Sequence, residues 1–110
     1  MANPGDMAIY NFPGVVRTKR RPAVVVSSAL YHSSRPDLIL ALLTTDLASA
    51  TGPTDYVLQD WAAAGLHKQS AFRAFIVTAP AGLLSPPIGH LSAKDWQEVQ
   101  ARLRLALAIT

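Results

Sequence analysis

Two stretches carry the residue types best suited to chemistry. In the first, Gly14-Val15-Val16-Arg17-Thr18-Lys19-Arg20-Arg21 runs straight into Pro22-Ala23-Val24-Val25-Val26-Ser27-Ser28. A basic loop thus meets an apolar, β-branched strand. In the second, Leu38-Ile39-Leu40-Ala41-Leu42-Leu43 ends in Thr44-Thr45-Asp46. Arginine offers a planar fork of charged donors that stays protonated, and a threonine hydroxyl donates or accepts. Presented at strand ends, these groups suit an anionic ligand such as a phosphodiester. Arg17, Lys19 and Arg20 make a loop of a kind that tracks a phosphate backbone, although charged loops are often no more than solvated.

The elements that must hold these groups follow from periodicity. Met7 to Phe12 reads as a first strand, with Ala8, Tyr10 and Phe12 on one face, ended by Pro13-Gly14. Arg21-Pro22 begins a second strand, proline being tolerated at a first position. Ala23 to Val26 is continuously apolar, as in a strand covered on both faces. After the turn-rich residues 33–37, Leu38 to Thr45 forms a third strand, and residues 48–53 a loop. Tyr56-Val57-Leu58 is a short strand, followed by a helical turn over 59–64 that stops at Gly65. Ser70 to Val77 is the next strand, broken by Pro80-Ala81-Gly82 and again by residues 86–89. Ser92 with Asp95 three residues on is a helix-start pattern. Trp96, Val99, Leu103 and Leu107 then recur at helical spacing and predict one stripe against a sheet. The expected fold is α+β, mainly β: a bent antiparallel sheet or open SH3-like barrel with a C-terminal helix.

The chain of 110 residues fits a single domain over 1–110. Half its residues are hydrophobic and 15% are charged, enough apolar content for a core. A net charge of +3 and a pI near 9.7 favour polyanionic or acidic partners. Absence of cysteine removes disulfides, thiolate nucleophiles and cysteine metal sites. The N-terminus lacks the basic and apolar regions of a signal peptide, and the apolar run 38–43 is too short to span a bilayer. No membrane association and a cytoplasmic location are therefore expected. His32, His67 and His90 are scattered, and the seven acids form no tight cluster, so no metal and no cofactor are expected. There is no phosphate-cradling GxxxxGK[ST] loop.

With its elements placed, the chain resembles the MazF/PemK family of toxin endoribonucleases, the mRNA interferases. The matching pieces stand in the family's order. They are Gly5-Asp6, Arg21-Pro22-Ala23-Val24-Val25-Val26-Ser27, Leu42-Leu43-Thr44-Thr45, Thr54-Asp55-Tyr56-Val57-Leu58, Gly65-Leu66-His67-Lys68-Gln69-Ser70 and Ile88-Gly89-His90-Leu91-Ser92. The resemblance implies the MazF/CcdB-like fold and a metal-independent, sequence-selective endoribonuclease acting on single-stranded RNA. It further implies a homodimer whose RNA groove is occupied by an acidic antitoxin segment. The family's catalytic arginine falls on Arg21 and its catalytic threonine on Thr44. Arg17, Lys19, Arg20, Thr45 and Arg73 are the candidate RNA contacts. Two departures stand out. The first loop is shorter than in many members, and the late strand reads Ala74-Phe75-Ile76-Val77-Thr78, without the usual acid and arginine. Arg73 lies just before it, out of register.

The implied chemistry needs a proton acceptor for the 2′-hydroxyl, donors for the phosphate charge and a proton for the leaving oxygen. Arginine fits the second task. No histidine adjoins these motifs in sequence, so the base is unassigned. Tyr56, Trp61 and Phe72 could stack bases, but core packing is the commoner role for each, as it is for Trp96. Two other classes compete. A gyrase-poisoning toxin of the CcdB type relies on a C-terminal Trp-Gly-Ile, whereas this chain ends Leu107-Ala108-Ile109-Thr110. A non-catalytic SH3-like interaction module would show an aromatic-lined groove, and aromatics are only 7% here.

Overall fold

A computed structural model describes residues 2–12 and 19–109, with the side chains of Phe12 and Lys19 excepted. Six strands are β1 (Asp6–Phe12), β2 (Lys19–Val25), β3 (Asp37–Thr44), β4 (Tyr56–Val57), β5 (Ala71–Pro80) and β6 (Gly89–His90). All neighbours pair antiparallel, in the order β4-β5-β3-β2-β1-β6. The sheet curls into a half-barrel. Among the described residues two α-helices, α1 (Ala29–Ser34) and α2 (Ala93–Leu107), and two single 3-10 turns over Leu47–Ser49 and Ala81–Leu83 complete the fold.

Strand alternation sorts the apolar residues onto two faces. Met7, Val24, Ala41, Leu43 and Phe72 join Leu58, Leu91 and Val99 in one core. Ala23, Val25, Leu40 and Leu42 join Tyr10 and Ala79 in a second. This is why Ala23 to Val26 reads as continuously apolar: its strand is covered on both sides. Trp96 and Leu103 pack on the first core with Val99, as the helical stripe predicts. Tyr56, Trp61 and Phe72 also pack there.

Several expectations are corrected. β2 starts at Lys19, not at Arg21, so Pro22 lies inside the strand opposite Ile9. It is tolerated because residues 19–22 pair with β1 alone, and the β3 ladder takes in only residues 23–25. The segment before residue 35 contains α1, capped by Ser28, whose hydroxyl accepts from the Tyr31 amide. β5 runs on to Pro80 and Leu38 begins one residue inside β3, because their pairing continues to Asp37 and Pro80. Gly89-His90 forms β6 instead of a break. Leu107 leaves the apolar stripe and is 53% exposed, since α2 ends there and outruns the sheet.

Candidate nucleic-acid interface

β2 and β3 align with Ala23 beside Leu42, Val24 beside Ala41 and Val25 beside Leu40. Arg20 and Arg21 lie beyond the last bonded pair of this ladder and pair with β1 alone; continued, the register would run toward Arg21 with Thr44 and Arg20 with Thr45. The two pairs belong to opposite faces. Arg21 and Thr44 share the face of Ala23 and Leu42, whereas Arg20 shares that of Pro22 and Val24. Arg21 is exposed and Thr44 half-buried. The Thr44 hydroxyl accepts from the Asp46 amide at 3.0 Å, which leaves its proton able to meet a ligand oxygen.

On the Arg20 face a cavity of about 570 Å³ opens between the strand ends and residues 65–70. Ile9, Pro22, Leu66 and Ile88 supply apolar walls. Arg20, Thr45, His67 and Lys68 line it as exposed groups, with Ser70 buried behind them. Arg21, Thr44 and Arg73 do not line this cavity. The structure therefore brings Arg20 and Thr45 together there and keeps the Arg21–Thr44 pair on the other side of the same strand ends. Arg17 lies outside the described residues, as does the side chain of Lys19.

Backbone contact fixes the cavity's far wall. Gly65 has φ +91°, and a Cβ there would sit 2.3 Å from the Ile88 carbonyl oxygen. At Gly89 a Cβ would sit 2.2 Å from the Ala64 carbonyl oxygen. Only glycine permits both the left-handed turn and this approach. The segment leading into the wall is tied to α2 through Asp95. Its fully buried carboxylate accepts from the Tyr56 hydroxyl at 2.6 Å, the Asp60 amide at 2.8 Å and the Gln59 amide at 3.1 Å. Burial, then the hydrogen bond and charge of Asp95, push the Tyr56 hydroxyl pKa well above its ordinary value near 10.

Arg73 and Ala74 occupy a β-bulge. Leu43 pairs with Phe72 but Leu42 with Phe75, and Ala74 takes φ +57°. A bulge re-aims side chains and bends its strand. Arg73 is exposed there and does not line the cavity. His32 bonds the buried Ser27 hydroxyl, which also accepts from the Ile39 amide at 3.0 Å. His90 pairs with Asp6 at 2.8 Å. No group of three or more His, Asp or Glu able to hold a metal stands together among the described residues. His67 and Lys68 are exposed polar residues of the cavity that were not among the candidates from sequence. Their signal was a basic pair just after a glycine, in a segment that only long-range contact turns toward Arg20.

The profile of the PemK-like, MazF-like toxins of type II toxin–antitoxin systems matches residues 3–107. The chain belongs to this family. Its fold agrees with that of solved relatives. An endoribonuclease bound to its cognate antitoxin, from a mycobacterial species, is 17% identical with a TM-score of 0.81, over 100% of this chain and 98% of that one. A MazE–MazF structure from Deinococcus radiodurans is 20% identical with a TM-score of 0.75, over 99% and 97%. The Mycobacterium tuberculosis toxin MazF-mt6 is 18% identical with a TM-score of 0.74, over 96% and 98%. Comparison with curated proteins gives no match. The PemK/MazF chain is thus homologous to endoribonuclease toxins. Among its described residues no helix is long and apolar enough to cross a membrane.

Proposed function

We propose that this PemK/MazF-family protein is a sequence-selective endoribonuclease that cuts single-stranded RNA, messenger RNA included, without a metal ion. In this reaction the 2′-oxygen forms a bond to the adjacent phosphorus as the bond to the 5′-oxygen breaks. The 2′-hydroxyl gives up its proton and the departing 5′-oxygen gains one. The products carry a 2′,3′-cyclic phosphate and a 5′-hydroxyl. Arg21 donates to the phosphate oxygens as charge builds on them, and Thr44 holds the phosphate in line. The reading is supported by the β2–β3 register, paired from Ala23–Leu42 to Val25–Leu40, whose continuation runs toward Arg21 and Thr44 in a chain of this family.

The partners follow from the same surface. A cognate antitoxin presents an acidic, partly disordered segment that folds over the basic groove and blocks it. Two copies of the chain form a homodimer, because an RNA strand needs a longer groove than one small domain offers. With messenger RNA as substrate, the protein acts in the cytoplasm. Fragment ends test the proposal. Purified protein should leave 5′-hydroxyl and 2′,3′-cyclic phosphate ends, and a 2′-deoxy nucleotide at the cut position should stop cleavage there. Ends bearing 5′-phosphate, or continued cutting of the 2′-deoxy strand, would contradict it.

A further inference from the structure

The cavity beside Arg20 has a composition that the cleavage step does not use. Its walls are apolar, through Pro22, Leu66 and Ile88, and its exposed edge carries Arg20, Lys68 and His67. At about 570 Å³ it falls inside the range of about 300–1,000 Å³ typical of small-ligand clefts. A nucleotide has the matching parts: a flat base with apolar faces, and a phosphate that two cations can grip. Consecutive residues of one strand reach opposite faces, so a strand of RNA crossing this sheet end meets Arg21 on one side and Arg20 on the other.

We infer that this cavity is a nucleotide subsite for the residue flanking the scissile phosphate, with His67 as the residue that selects its base. This rests on the ribonuclease reading and deepens it. Leu66 and Ile88 cover the base faces. The imidazole nitrogens of His67 donate and accept toward the base edge, or its ring stacks on the base. Arg20 and Lys68 hold the flanking phosphate as point contacts that carry no sequence information. Among the described residues, Arg20 and Lys68 line the cavity beside His67 and no acid does. That favours RNA bound through base and phosphate together.

The test uses the full chain, a randomised single-stranded RNA library and EDTA, with cut sites sequenced for wild type, His67→Ala and Lys68→Ala. His67→Ala should flatten the base preference at one flanking position by roughly tenfold or more. Lys68→Ala should slow cutting on all sequences alike and make it less sensitive to salt. Both positions are exposed, and a second measurement does not depend on the variants. Uncleavable 2′-O-methyl RNA titrated into wild type should shift the ring-proton resonances of His67. A wild type that cuts while both variants keep its preferences, with His67 resonances unmoved, overturns the subsite and leaves the ribonuclease standing. Poly-glutamate shifting His67 where the RNA does not would also overturn it, assigning the cavity to an acidic protein partner. A wild type that cuts no RNA removes the ribonuclease reading and the subsite with it.

Discussion

Asp95 shows how one side chain governs a distant wall. It sits at the start of α2, where Ser92 caps its amide at 3.2 Å, yet its carboxylate holds residues 56–60. Asp95→Ala would remove the buried acceptor shared by those three donors, at a cost of about 1–3 kcal/mol, readable by urea unfolding. A variant of wild-type stability would contradict this bond set. Tyr56 adds a pH dependence. Its raised pKa means the folded state keeps the phenolic proton while the unfolded chain loses it near pH 10. The unfolded state then binds fewer protons, so stability is full below about pH 10 and falls as pH rises beyond it. Tyr56→Phe should lose that part of the alkaline slope, and an unchanged slope would count against it. At this scale Arg21 and Thr44, proposed to act on the phosphate, stand in local motifs that a sequence displays. His67 and Lys68 were not legible, because their meeting with Arg20 depends on contact between residues 64–65 and 88–89.

Elements were most legible where periodicity was strong. α2 starts at the Ser92 cap and β3 occupies almost the predicted span. Short elements escaped: α1 has six residues and β6 two, too few to show a period. The bulge at Arg73 and Ala74 was not legible, since it puts Ala74 in the left-handed region where alanine gives no signal. Gly65 gave the opposite case, a glycine whose position is required. Gly65→Ala combines positive-φ strain with a clash against the Ile88 carbonyl and should destabilise by about 2–4 kcal/mol. Thermal denaturation checks it, and an unshifted melting temperature would mean the two segments are not packed this closely.

For the whole molecule, composition indicated a basic single domain with a substantial core, and the curled six-stranded sheet supplies it on two faces. The choice between strand faces is a property of the assembled sheet, which is why the family resemblance could assign Arg21 a catalytic role and Arg20 an RNA contact without showing that the two face opposite ways. The central claim is metal-independent RNA cleavage at Arg21. The most direct measurement is incubation of wild type and Arg21→Ala with a long single-stranded RNA in EDTA. Wild type should give discrete cuts, with the variant slower by about 10²–10³-fold and still folded. No cutting by folded wild type, or equal cutting by the variant, would contradict the account.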